Sequence, residues 1–152
     1  NFRWIGLIKI IFPNAIIIHC KRDPLENSWS IYKNDFEGGM LFSNDAQDIA
    51  SYYNIYLNLM SYWKSAFNKE IYDLNYEGLI NNPESKIREI ITFCGLAWQD
   101  ACLEYYKNKK SIKTVSFSQA RKPIYKDSLK GTAKFKNYIQ DLENALSSSK
   151  VR

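Results

Sequence analysis

Histidine and cysteine are scarce in this sequence of 152 residues, which contains one histidine and three cysteines. Zinc sites draw most of their ligands from these two residue types, and a disulfide framework needs an even number of cysteines. Cys20, Cys94 and Cys102 lie far apart among apolar neighbours, so we interpret them as small core residues. The pattern favours a reducing compartment, the cytoplasm, and a protein without a bound metal.

Glycine and proline are also few, at 6 and 4 residues, while hydrophobic residues make up 45% and charged residues 24% of the chain. This composition excludes a disordered chain and a fibrous repeat. Long apolar runs are absent too, since the longest, Ala15 to Ile18, has the length of a β-strand and is far short of a membrane span. We therefore expect residues 1–152 to form one domain that does not enter a membrane.

The net charge of +5 is distributed unevenly along the chain. Residues 1–106 carry 9 Lys+Arg and 13 Asp+Glu, a net charge of −4, whereas residues 107–152 carry 12 and 3, a net charge of +9. A basic block of this kind indicates an anionic partner. Phosphate-bearing ligands, nucleic acid, sulfated polymers and membrane surfaces all satisfy that requirement, and a solvated basic surface is the alternative without a partner.

Apolar periodicity predicts an alternation of helices and strands. Helices are predicted at residues 3–12, from Asp23 onward, at 46–67, after Asn82-Pro83, at 100–108 and at 132–147, and strands at 15–20 and 70–75. The first strand is apolar on both faces, which is typical of a strand buried between two layers of helices. Strands separated by helices favour an α/β domain with a parallel sheet.

The turn after the first predicted strand contains Arg22, followed by Asp23 as a helix cap and Pro24 at the first helical position. Ligands of open α/β sheets bind beyond the carboxyl ends of the strands, where the next helix directs unpaired backbone N–H groups at an anion. Ser30 returns to the capped face of that helix, so Arg22 and Ser30 could share one phosphate. Ion pairing of Arg22 with Asp23 or Glu26 is the purely structural alternative.

Three segments, taken in order, resemble sulfotransferases that use the donor nucleotide PAPS. Residues 16–32, IIIHCKRDPLENSWSIY, resemble the segment in which a strand leads to Arg-Asp-Pro and a serine follows eight residues after the arginine. Residues 74–84, LNYEGLINNPE, resemble the family's Tyr-Glu-x-Leu segment and the helix that begins at a proline. Residues 113–125, KTVSFSQARKPIY, resemble a segment of bacterial sulfotransferases associated with tetratricopeptide repeats and of tyrosylprotein sulfotransferases.

This resemblance implies a fold, a donor and a reaction. The fold is a three-layer α/β domain with a parallel sheet, similar to nucleotide kinases, of which this chain represents the helix-rich C-terminal portion. The complete enzyme would transfer a sulfuryl group from PAPS to a hydroxyl or amine of a carbohydrate, peptide or small molecule and release PAP. The family's upstream loop for the 5′-phosphosulfate and its catalytic base are not found here, so we expect the 152-residue chain alone to be inactive.

The resemblance also implies roles for individual residues. Two residues would bind the 3′-phosphate, one would line the nucleotide pocket, and three lysines would belong to a basic loop over the 3′-phosphate; in that order they are Arg22, Ser30, Tyr76, Lys122, Lys130 and Lys134. Ser116 corresponds to a serine near the transferring sulfuryl group. His19 lies in the middle of the first strand, so we interpret it as a packed core residue and not as the catalytic base.

Two other functions remain open from the residues alone. A nucleic-acid or polyanion-binding module would use the basic C-terminal third, with aromatic residues for stacking such as Tyr105, Tyr106, Phe117 and Tyr125. It shows none of the known nucleic-acid signatures and leaves the turn at Arg22 unexplained. A small-molecule kinase-like nucleotide binder would need a phosphate loop of its own, which we do not find in the sequence.

Overall fold

The computed structural model describes residues 1–34, 40–108, 122–124, 131–133, 135–136 and 138–148. These residues form an α/β fold with a small parallel sheet. Its helices and strands are α1 (Ile5–Ile11), β1 (Ile17–Lys21), α2 (Pro24–Tyr32), α3 (Ala46–Ala66), β2 (Ile71–Asn75), α4 (Tyr76–Asn81), α5 (Pro83–Phe93) and α6 (Gln140–Ser148). Single turns of 3-10 helix occur at Phe2–Trp4, Leu41–Asn44, Asn68–Glu70, Asp100–Cys102 and Tyr105–Lys107.

The two strands pair in parallel, with Ile17 opposite Ile71 and Lys21 opposite Asn75. Helices α2 and α3 connect them, as parallel pairing requires a long crossover. Because Lys21 and Asn75 are the last residues of their strands, the helices that follow each strand begin side by side. This register brings two sequence segments about fifty residues apart to one edge of the sheet.

Local sequence signals explain where the helices begin and end. The Asp23 side chain accepts a hydrogen bond from the backbone N–H of Glu26 at 2.9 Å and so caps α2, with Pro24 at its first position. Helix α5 ends at Phe93 with Cys94 as its cap, and the next residue, Gly95, has a φ of 67°, in the left-handed region. The N–H of Leu96 then donates to the carbonyl of Ile91, which completes a Schellman motif.

Apolar side chains form two clusters along the long helix α3, one at its N-terminal half and one at its C-terminal half. The first cluster joins α2, α3 and α6 and contains the buried residues Trp29, Ile49, Ala50, Ile139, Leu142, Ala145 and Leu146. The second joins α1, α3 and the sheet around the buried residues Ile5, Met60 and Ile71. Helix α3 therefore holds the sheet and the C-terminal helix in one structure.

Several expectations from the sequence need correction. Strand β1 is not buried on both faces, because Ile16 and Ile18 are 42% and 40% exposed and helices pack against Ile17 on the other face. Cys20 is exposed, and the other two cysteines are half-buried, so they are not core residues. The segment at 100–108, predicted as a helix, contains two single turns of 3-10 helix. The C-terminal helix, predicted from residue 132, begins at Gln140, and the N–H groups of Phe135 and Tyr138 before it bond to carbonyls three residues earlier.

Among the helices in the described ranges, none is both long enough and apolar enough to cross a membrane.

Candidate functional site

The carboxyl ends of β1 and β2 bring Arg22 and Tyr76 together. Arg22 directly follows β1, and Tyr76 is the first residue of α4, directly after β2. The guanidinium carbon of Arg22 lies 5.2 Å from the centroid of the Tyr76 ring, within the range of a cation–π interaction. The two residues that the sequence assigned to phosphate binding and to the nucleotide pocket are therefore neighbours. We call Arg22, Asp23, Tyr76 and Glu77 the Arg22 corner.

Glu77 joins the two strand ends. One of its carboxylate oxygens accepts the backbone N–H of Asp23 at 2.9 Å, and the other accepts the side-chain amide of Asn75 at 2.8 Å. Asn75 in turn caps α4 by accepting the N–H of Gly78 through its side-chain oxygen at 2.6 Å. This carboxylate therefore fixes the turn after β1 against the start of α4.

The start of α2 offers fewer backbone N–H groups than the sequence suggests. The N–H of Asp23 donates to Glu77, the N–H of Glu26 donates to the Asp23 side chain, and Pro24 has no N–H. Because carboxylates already occupy these two donors, an anion at this place depends more strongly on the Arg22 side chain and on the helix dipole. The sequence predicted unpaired N–H groups here, and fewer of them face a ligand than expected.

Glu26 lies beside Arg22 and is nine-tenths buried. Its Oε2 atom is 3.6 Å from a guanidinium nitrogen of Arg22, which is an ion-pair distance but longer than a hydrogen bond. Its Oε1 atom accepts the hydroxyl of Thr132 at 2.7 Å and the backbone N–H of Thr132 at 3.1 Å. The first turn of α2 is thereby tied to a segment 106 residues further along the chain.

A cavity of about 230 Å³ lies next to the Arg22 corner. Its walls combine aromatic rings from α3 and the N-terminal segment with polar groups from the start of α2; they include Phe2, Arg22, Asn27, Ser28, Tyr52, Tyr53 and Tyr56. Ser28 is fully buried, and its hydroxyl has no hydrogen-bond partner among the residues that the structure describes. Asn27 and Ser28 thus line the cavity, whereas Ser30 does not.

His19 links the sheet to this cavity through Tyr56. Its Nδ1 atom lies 2.7 Å from Asp73 on the paired strand, and its Nε2 atom lies 2.6 Å from the Tyr56 hydroxyl. An ionised Asp73 can only accept, so it holds a proton on Nδ1, and a neutral imidazole then accepts from Tyr56 at Nε2. The His19 side chain is packed as expected, at 10% exposure. It belongs to a series of hydrogen bonds, from Asp73 through His19 to Tyr56, and not to an apolar core.

The pKa values of the two partners follow from their surroundings. Burial raises the pKa of Tyr56 to about 12, assisted by the charges of Tyr53 and Asp73, so this phenol remains a hydrogen-bond donor at neutral pH. Burial alone would also raise the pKa of Asp73. Hydrogen bonds from Lys64 and His19, together with the charges of Lys64 and Lys21, outweigh burial and lower that pKa below its ordinary value.

The structure brings together some of the residues assigned from sequence and not others. Arg22 and Tyr76 are in contact. Ser30 is half-buried on α2, and its backbone carbonyl accepts a hydrogen bond from the Asn34 side chain at 2.6 Å. Lys122 is exposed, and its carbonyl accepts the Tyr105 hydroxyl at 2.9 Å. The remaining assigned residues, Ser116, Lys130 and Lys134, lie outside the described residues.

Sequence reasoning missed two residues that shape this site, Glu77 and Tyr56, and one contact of a third, Glu26. Glu77 directly follows Tyr76 in the sequence, and that adjacency was an available signal. The structure shows the expected ion pair of Glu26 with Arg22, whereas nothing local indicates its bond to Thr132. Tyr56 belongs to the aromatic stripe of α3, where the sequence does not distinguish a cavity wall from a core position.

A second, open groove lies along α5, lined by Tyr72, Arg88, Glu89 and Phe93 among others. Its charged side chains mostly neutralise one another: Arg88 pairs with Glu84 at 2.8 Å, and Lys86 pairs with Glu89 at 2.7 Å. Such exposed pairs are typical of a solvated helix face.

Across the described ranges, no group of three or more His, Cys, Asp and Glu residues could hold a metal ion.

Comparisons with known proteins bear on this site. The model of the sulfotransferase family matches residues 1–100, which include β1, the Arg22 corner and α5. A protein of Aquifex aeolicus (strain VF5) named "Uncharacterized protein" is 40% identical to the chain over 142 residues. That match covers 91% of this chain but 19% of the relative, so the chain spans about a fifth of the length of that relative.

Proposed function

Because the chain belongs to the sulfotransferase family, we propose that the Arg22 corner binds the 3′-phosphate of PAPS and of its product PAP. The observation that supports the proposal is the placement of Arg22 at the carboxyl end of β1, with its guanidinium over Tyr76. A guanidinium is the group that makes the bidentate bonds that phosphate favours, and stacking on a ring orients it. The contact to Glu26, at 3.6 Å, is weaker than such bonds would be.

The whole protein's reaction is a further part of the proposal. Residues 1–152 represent the C-terminal portion of one sulfotransferase domain, of the type found in bacterial enzymes with tetratricopeptide repeats and in tyrosylprotein sulfotransferases. The complete protein to which residues 1–152 belong transfers a sulfuryl group from PAPS to an acceptor hydroxyl or amine. It does so by positioning the reactants and stabilising charge on the leaving phosphate. In this proposal Ser116 lies near the sulfuryl group, and Ser30, Lys122, Lys130 and Lys134 assist Arg22.

Calorimetry with two nucleotides tests the binding site. PAP and AMP differ by the 3′-phosphate, so we expect PAP to bind more tightly than AMP. Arg22→Ala removes an ionic hydrogen bond worth about 1.5 to 3 kcal/mol, which lowers PAP affinity roughly ten- to a hundredfold and leaves AMP affinity nearly unchanged. Arg88→Ala is the matched control, because Arg88 also stacks on a ring, that of Trp98 at 3.7 Å, but lies on α5.

Equal affinities for PAP and AMP, or an Arg22→Ala variant that retains the preference, would contradict the proposal. A single-stranded oligonucleotide and a sulfated polysaccharide serve as competitors. If either competitor displaces PAP at low salt but not at high salt, PAP is bound by the general positive charge of the basic C-terminal third. That result would favour the polyanion-binding alternative. Tighter binding of ATP than of PAP would favour a kinase-like nucleotide binder.

A further inference from the structure

We infer that Glu26 is a built-in competitor for an anion at Arg22, and that Thr132 restrains it. The inference rests on the proposed binding of phosphate at Arg22 and goes beyond it. It assigns a positioning function to a pair of residues that do not themselves touch the phosphate. The chain of contacts runs from Thr132 to Glu26 and from Glu26 to Arg22.

The two carboxylate oxygens of Glu26 differ in their surroundings. Oε1 accepts two hydrogen bonds from Thr132, at 2.7 Å from the hydroxyl and 3.1 Å from the backbone N–H. Oε2 is buried and has no hydrogen-bond partner in the described part of the chain. A buried carboxylate oxygen without a partner is costly, and the nearest way to satisfy it is the guanidinium 3.6 Å away.

The backbone of Gly131 packs close to Oε2. A Cβ atom at this position would lie 2.9 Å from Oε2, closer than real Cβ contacts, so the absence of a side chain allows the backbone to approach the carboxylate. The carboxylate is therefore fixed on one oxygen by Thr132 and packed on the other by Gly131. This arrangement keeps Oε2 at an ion-pair distance from Arg22 and prevents the shorter hydrogen bond that a mobile carboxylate would make.

The charges at the corner make this restraint important. Asp23, Glu26 and Glu77 bring three carboxyl groups to the turn after β1 and the start of α2, and Glu26 lies within ion-pair distance of Arg22. A phosphate must compete with them for the guanidinium and is repelled by their charge. Asp23 and Glu77 are occupied by backbone N–H groups, whereas Oε2 of Glu26 has no such donor in the described part of the chain. Glu26 is thus the carboxylate best placed to take Arg22 from a ligand.

The inference predicts opposite effects for two substitutions. Glu26→Gln removes the competing charge, so PAP affinity rises several-fold. Thr132→Val removes the hydroxyl that restrains the carboxylate, so Glu26 pairs more closely with Arg22 and PAP affinity falls roughly five- to tenfold. Thr132→Ser restores the affinity because it retains the hydroxyl. Thr92→Val, at an exposed position of α5, is the matched control and leaves the affinity unchanged.

A double variant tests whether Thr132 acts through Glu26. In the Glu26→Gln background, Thr132→Val has little further effect on PAP affinity, because the carboxylate that it would release is no longer there. A purely structural role predicts a different result, in which both substitutions weaken binding and their effects add. Effects of the same sign, or additive effects, would overturn the inference.

Binding of inorganic phosphate tests competition by Glu26 independently of the proposal that the donor is PAPS. Its binding is followed through the NMR signal of the Arg22 side-chain N–H in the wild type and in both single variants. If the wild type shows no preference for PAP over AMP, the nucleotide proposal fails. Opposite changes in phosphate affinity would then still support competition by Glu26. A phosphate affinity that is equal in the wild type and both variants would overturn it.

Discussion

Asp73 shows how one carboxylate connects three elements of this fold. It contacts His19 on β1 and Lys64 on α3, and Lys21 lies 3.5 Å away. His19 extends the connection to Tyr56, which lines the cavity beside the Arg22 corner. A residue on the second strand is thus connected by hydrogen bonds through His19 to a wall of the cavity.

Removing the Asp73 charge should change the pH dependence of stability. The pKa of Asp73 is lowered in the folded protein, so its ionised form stabilises the fold above about pH 3.9, the ordinary value for Asp, and that contribution is lost as the pH falls through the lowered pKa. We expect Asp73→Asn to be less stable than the wild type at pH 7. The difference should narrow as the pH falls below about 4 and through the lowered pKa.

Urea unfolding at a series of pH values, followed by far-UV circular dichroism, measures this difference. Asp48→Asn, at an exposed carboxyl on the same helix as Lys64, is the control and should show a smaller change. A constant gap between wild type and Asp73→Asn at every pH would mean that the charge of Asp73 does not contribute.

Helix ends position the chain segments around the site. Asp23 caps α2 directly after Arg22, and Asn75 caps α4 directly after β2, so both cap residues occur where the strands end. After the last residue of α5, Phe93, and its cap Cys94, the chain leaves the helix at Gly95, which has a left-handed backbone conformation. These stops and starts are short-range interactions that the sequence specifies directly.

Gly95 provides a test at the level of a helix end. Gly95→Ala should lower the free energy of unfolding by about 1 kcal/mol, because a residue with a Cβ atom is strained at a φ of 67°. No heavy atom lies within 4 Å of the position of that Cβ, so the cost is conformational and not steric. Gly95→Asn should cost less, since asparagine tolerates this conformation, and thermal unfolding compares the two variants. Equal losses in both would indicate another cause.

Helix α6 closes the structure at the scale of the whole molecule. Leu142 and Ala145 are 2% and 0% exposed and pack in one cluster with Trp29 of α2 and Ile49 of α3. The same region of the chain provides Thr132, which bonds Glu26. The C-terminal part therefore covers the first cluster and also reaches the candidate site.

Leu142→Ala tests this long-range packing. The substitution should lower the free energy of unfolding by about 2 to 5 kcal/mol, because it removes a fully packed side chain and leaves a cavity between three helices. Leu57→Ala on α3 is the matched control, since Leu57 is 39% exposed and should cost less than about 1 kcal/mol. Urea denaturation of both variants gives the comparison. Similar losses would show that α6 does not share the core.

Much of the fold could be predicted from the sequence. The α/β class, both strands and helices α1, α2, α3 and α5 were predicted within a few residues, because capping residues and apolar periodicity act over one or two helical turns. The C-terminal helix begins at Gln140 and not at residue 132 as predicted. Membership of the sulfotransferase family was indicated by motif order and is confirmed by the match over residues 1–100. The contact of Arg22 with Tyr76 follows from parallel pairing once both strands are recognised.

The sequence by itself thus determined the elements and the residue types at the strand ends, because those depend on local interactions. The tertiary structure decided which side chains meet across long distances in the chain: His19 with Tyr56, and Glu26 with Thr132. A single sequence carries no signal for such pairs, since a buried carboxylate is satisfied by whichever donor the packing brings near it. The exposure of β1 and Cys20 was decided in the same way, by which faces of the sheet the helices cover.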